Sequence, residues 1–119
     1  MNKTYERTDA EKLVPLLEVI VNEILDRSRT VRQLVKAASP PAEGTAPSTA
    51  ELDRRAEIAS HRREIRLSIK ELERLGCVVD EQDLSRVYIP GPSGQLDRGF
   101  SWQSGEKNVR KVTSESSSG

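Results

Sequence analysis

Few side chains in this sequence carry chemistry, and most of those stand alone. Cys77 is the one cysteine of the chain. A thiol becomes reactive near neutral pH when a base, a cation or a helix N-terminus lowers its pKa, and the residues after Cys77 are the apolar pair Val78-Val79. That setting reads as a buried thiol in a short strand. With no second cysteine, no intrachain disulfide can form, which fits a reducing compartment. His61 is the single histidine, and with Cys77 it falls short of the three or four clustered ligands of a zinc site. Asp80, Glu81 and Asp83 offer hard oxygen ligands without the spacing of a calcium loop, so they read as a solvated turn. No glycine precedes a lysine at the spacing that cradles phosphate. These residues name no catalytic side chain, no cofactor and no metal site.

The arginines are more numerous. Arg54, Arg55, Arg62, Arg63 and Arg66 recur within one segment. Nucleic-acid binding normally shows as a basic stripe against a basic background, but acidic and basic residues balance here at 19 each. A solvated helix face accounts for these arginines at less cost, and a nucleic-acid partner is not expected. The aromatic residues Tyr88, Phe100 and Trp102 are scarce. They either form an exposed recognition patch or anchor a small β-unit against a helix, and the second use is the commoner one.

The elements that must position these residues are mainly helical. Apolar side chains recur at Leu13, Leu17, Ile20, Ile24, Val31 and Leu34, the period of one helix face. Arg27 interrupts the stripe, and Val14, Leu16, Val21, Leu25 and Val35 widen it. The pattern predicts a helix over about 8–38, capped by Thr8 with Glu11 closing a capping box, and kinked at Pro15. Three prolines and a glycine fall in 39–47, predicting a mobile connection. A second helix over about 48–76 follows, with Ser48 as its cap, a weaker stripe through Leu52, Ile58, Ile65, Ile69 and Leu72, and Gly76 at its end. The connection is short beside helices of this length, so the two should return antiparallel. A β-unit over about 77–112 comes next, from Cys77–Val79, Val87–Ile89, Phe100–Trp102 and Asn108–Val112, with a strong turn at Pro90-Gly91-Pro92-Ser93-Gly94. The fold expected is a long antiparallel, coiled-coil-like helical hairpin closed by a small C-terminal β-unit, one domain over 1–113, with a disordered serine-rich tail at 114–119.

The pattern as a whole resembles a bacterial family catalogued as domain of unknown function 2203. Tyr5, Asp9, Ala10, Leu13, Val14 and Pro15 fall on that family's opening stretch F-T-x-E-E-A-x-x-L-L-P. Leu75, Gly76, Val79, Val87, Ile89 and Pro90 fall on its L-G-x-x-V-K-D and G-L-V-D-F-P segments. Phe100, Trp102, Gly105 and Glu106 match its L-C-W-R segment and the G-E that follows. Asp80, Glu81 and Tyr88 depart from the family's polar positions, and a closing tryptophan–histidine segment has no counterpart after Val109. The resemblance implies a shared fold; it brings no reaction with it.

Function is therefore expected to lie in association. The first helix carries more apolar surface than one partner helix covers, which predicts a non-catalytic interaction or oligomerisation module. Leu13, Leu17, Ile20, Val21, Ile24 and Leu25, with Trp102, are its candidate contacts, and a homodimer or a helical protein is its expected partner. Two other readings compete. One is a small enzyme or metal-dependent site formed between subunits near the acidic turn, Cys77 and Trp102. The other is a nucleic-acid accessory using the arginines of the second helix. No segment is apolar and long enough to span a bilayer. Met1 to Arg7 lacks the apolar core of a signal peptide, so a cytoplasmic location is expected.

Overall fold

The computed structural model describes residues 3–38, 44 and 46–112. The expectations of a mobile 39–47 loop and a disordered 114–119 tail fall largely or wholly outside those residues. Helix α1 spans Arg7–Ala37 and helix α2 spans Thr49–Arg74. Four strands follow: β1 (Val78–Val79), β2 (Arg86–Ile89), β3 (Phe100–Gln103) and β4 (Arg110–Lys111). They form one antiparallel sheet in the order β1-β2-β3-β4. The helical hairpin followed by a small β-unit is the fold its periodicities predict.

The hairpin is antiparallel. The Tyr5 hydroxyl, just before α1, donates to the Leu75 carbonyl at the end of α2 (2.7 Å), and halfway along Arg27 meets His61 at 3.0 Å. The arginine that interrupts the apolar stripe is thus spent inside the hairpin. Its Nε donates to Glu23 at 2.6 Å on its own helix, while its Nη1 faces the His61 Nδ1.

The first helix starts differently from its sequence reading. Glu6, not Thr8, is the N-cap, and no side chain caps the helix. The reason is tertiary. The Tyr5 N–H donates to the Gly91 carbonyl (3.4 Å) while its ring reaches Leu75, so the chain is pinned just before Glu6 and begins to coil there, leaving Thr8 within the first turn. Helix α1 continues through Pro15. Ser48 caps α2 as expected, accepting from the Glu51 N–H at 3.2 Å. The Glu51 carboxylate pairs with Arg54 at 2.9 Å, so the box is half used.

At the other end of α2, Gly76 has φ +83°. Its N–H donates to the Glu73 carbonyl and that of Cys77 to the Leu72 carbonyl, both at 2.9 Å. This is the Schellman arrangement, which satisfies carbonyls a helix end would otherwise leave unpaired. Leu72 and Cys77, the apolar pair that accompanies it, are both fully buried.

Strands β2 and β3 show a strict alternation. Val87 and Ile89 on β2 face Trp102 and Phe100 on β3, and all four are buried. Arg86 and Tyr88 face Gln103 and Ser101 on the opposite side. Strand β4 places Lys111 against Phe100 and Arg110 against Ser101. The buried face joins Ala10, Val14, Leu17, Ile20, Val21, Ile24 and Leu72 in one apolar cluster, with β3 against α1 and β1 against α2.

Candidate functional site

Of the acidic turn after β1, the two aspartates are engaged by the fold, while Glu81 is exposed. Asp80 accepts from the Gln82 N–H at 2.8 Å and from the Tyr88 hydroxyl at 3.0 Å. Asp83 accepts from the Ser85 N–H at 3.1 Å and from the Ser85 hydroxyl, and Gln103 reaches it from β3. Hydrogen bonds to a carboxylate favour its charged form. Both aspartates accordingly titrate below the ordinary range, Asp80 chiefly through the Gln82 N–H and Asp83 chiefly through the Ser85 hydroxyl. Among the described residues, no three His, Cys, Asp or Glu side chains gather where they could hold a metal ion.

Cys77 is fully buried, and burial pushes its thiol up to about 12. At neutral pH it is a packed apolar group and not a nucleophile. Trp102 is buried as well, its indole N–H donating to the Glu106 carbonyl at 2.8 Å. That bond closes the turn between β3 and β4, which is the anchoring use expected of the aromatics. Phe100 is buried on the same face of the sheet, whereas Tyr88 lies half-buried on the outer face.

The proposed contacts on α1 need a correction in their premise. Leu17, Ile20, Val21 and Ile24 are buried, and Leu13 and Leu25 are partly buried against the same cluster. The broad apolar face of α1 does have cover within the chain: α2 takes one flank and the inner face of the sheet takes the other. Helical periodicity reports how wide a face is, not which later segment folds onto it.

Apolar surface remains elsewhere on the helices. Leu16 and Val19 on the outer side of α1 are 45% and 68% exposed; Val35, Leu52 and Leu67 are about half exposed. Val35 and Leu17 are eighteen residues apart, which is five helical turns, so they share one azimuth. Leu17 lies under the sheet and is fully buried, while Val35 is 49% exposed. The sheet therefore covers only the half of the hairpin near the chain's β-unit, and the same face stays open in the distal half.

Among the described residues, three of the surface recesses bear on these faces. One, about 380 Å³, lies in that distal half and is lined by Val35, Arg55, Ile58, Ala59, Arg62 and Arg66. A second, about 390 Å³, lies at the other end of the hairpin, where Glu11, Val14, Pro15 and Glu18 of α1 meet the Gly105-Glu106-Lys107 turn. The third, about 310 Å³, opens on the outer face of the sheet between Arg86 and Arg110. There Arg110 is tied to Glu106 at 2.8 Å and Arg86 to Gln103 at 3.1 Å.

A family model described as Uncharacterized conserved protein (DUF2203) matches residues 3–115. The chain belongs to this family. No curated protein and no solved structure matches it. Within this DUF2203 chain the positions that carried the resemblance have structural tasks. Ala10, Val14, Val79, Val87, Ile89, Phe100 and Trp102 are buried. Tyr5 ties α1 to the end of α2, Gly76 ends α2, and Glu106 supplies the carbonyl under the indole. The DUF2203 match thus spans both helices and the whole sheet. Among the described residues no helix is long and apolar enough to cross a membrane.

Proposed function

We propose that this protein is an interaction module that works by association and not by catalysis, its partner being a second copy or another helical protein. The observation that carries this reading is the apolar surface left on the hairpin, at Leu16 and Val19 on the outer side of α1, at Val35 in the open distal half, and at Leu52 and Leu67 on α2. Exposed apolar groups gathered along helices favour helix-on-helix contact. Four groups with chemistry to offer are committed to the fold: Cys77 to the core, Asp80 and Asp83 to their turn, His61 to Arg27. These commitments also weaken the case for a site formed between subunits around the acidic turn.

Light scattering coupled to size exclusion, run across the micromolar range, tests the reading together with pull-down from the native host. Association with itself or with a dedicated helical partner is the expected result. A folded chain that stays monomeric throughout and captures nothing would overturn it.

A further inference from the structure

We infer that two copies of this chain pair antiparallel, the Arg55–Arg62 ridge of each seated against the Glu11–Glu18 ridge of the other. The inference rests on the interaction reading above and names its partner as a second copy.

The two ridges share one pattern. On α1, Glu11, Val14, Pro15 and Glu18 stand at relative positions 0, 3, 4 and 7. On α2, Arg55, Ile58, Ala59 and Arg62 stand at the same positions. In each case an apolar pair is flanked by two like charges, about 10.5 Å apart along the helix axis. The signs are opposite, and each set lines a surface recess of similar size, about 390 and 380 Å³. With the ridges side by side, Glu11 meets Arg55, Glu18 meets Arg62, and the exposed Pro15 and Ala59 meet between them. Among the described residues none of these four charges has an ion-pair partner, whereas Arg27, Arg29, Arg54 and Arg110 each have one. Lys107 at the rim of the acidic recess offsets part of its charge; its neighbour Glu106 is already paired with Arg110.

The charge distribution of the whole hairpin sets the orientation. Residues 7–26 of α1 hold five acidic and two basic side chains, and residues 27–37 hold four basic and no acidic ones. The Arg27–His61 contact sets residues 27–37 beside residues 51–61 of α2, which hold two basic and three acidic side chains, so the distal half keeps an excess of three positive charges. Each copy is thus basic at its distal end and acidic on α1 at the other. Parallel copies would set like charges together. Antiparallel copies set each basic end beside an acidic one, and a two-fold axis makes the contact twice and closes the assembly.

Charge exchange tests this on the full chain, with sedimentation equilibrium as the readout and circular dichroism as the check on folding. Wild type is expected to dimerise, and to do so more weakly as salt rises, because exposed charge pairs are screened. Arg62→Glu and Glu18→Arg should each raise the dimer dissociation constant about tenfold or more. Combining them in one chain restores opposite signs across the contact and should return the constant to near the wild-type value. A dimer indifferent to both single changes, or a double variant no tighter than either single one, overturns the inference while leaving association through another surface standing. A monomer at every concentration and salt overturns the inference, and if no partner is captured either, the interaction reading falls with it.

Discussion

Cys77 shows how little a residue's type says about its reactivity. Its thiol lies in the core beside Leu72, and burial raises its pKa from 9.0 to about 12. A thiol-specific disulfide reagent should therefore leave it unlabelled in the native protein and label it fully in denaturant; rapid native labelling would contradict its burial. The raised value also fixes a direction for stability. The folded state holds the thiol proton more tightly than the unfolded state, so this contribution is complete below pH 9 and is lost as pH rises from about 9 towards 12. Denaturant titrations should show a falling midpoint across that window, and Cys77→Ala should flatten this part of the profile. Asp80 and Asp83 move the other way. Their lowered values make any contribution present above the ordinary carboxylate range and lost in acid, and their exposure to solvent keeps it small.

At the scale of elements, helix ends decide where the chain turns. Gly76 sits at φ +83°, and an added Cβ would lie 2.9 Å from the Lys3 Cβ and 3.3 Å from the Pro90 Cγ. Gly76→Ala should cost about 1–2 kcal/mol for the left-handed backbone, before any displacement of those neighbours. In a domain of this size that is a fall of roughly 5–10 °C in Tm. Ser48→Ala removes one exposed cap and should cost about 1 kcal/mol; an unchanged Tm would mean that the Ser48 hydroxyl does not hold the start of α2. Gly99 is tighter still. A Cβ there would come within 2.7 Å of the Gly91 nitrogen and press on the Ile89 carbonyl, so Gly99→Ala should open the β2–β3 connection and lower Tm more than Gly76→Ala does.

The molecule as a whole is uneven along its 57 Å length. Every fully buried side chain of the hairpin lies in residues 10–24 or at Leu72, and none lies in 27–37 or 49–71. Local stability follows buried apolar contact. Amides of the sheet and of residues 10–24 should therefore exchange with solvent only through global unfolding. Those of 29–36 and 52–60 should exchange faster by partial opening, as hydrogen exchange with mass spectrometry can resolve. The dimer proposed above, through Arg55 and Arg62, predicts a second signature: protection over 52–60 should grow with protein concentration, while that of the sheet should not. Uniform protection along both helices of a dilute sample would contradict the uneven core.

Much of this was legible in the sequence because it is local. The period of Leu13, Leu17, Ile20 and Ile24 marks a helix face, Ser48 and Gly76 bracket a helix through their own backbone chemistry, and the alternation of Phe100 and Trp102 marks a strand with one buried side. Each depends on neighbours within a few residues. The start of α1 did not follow the same logic, since Tyr5 is held by Gly91 and Leu75, far along the chain. Nor did the cover on α1. An apolar stripe states that something must lie against it, but only folding places β3 there and leaves Val35 open while burying Leu17 on the same azimuth. The Glu11–Glu18 and Arg55–Arg62 patterns were present in the sequence throughout. The tertiary structure decided that each lines a recess and that the two lie at opposite ends of the hairpin, because two antiparallel helices convert distance along the chain into position along one axis.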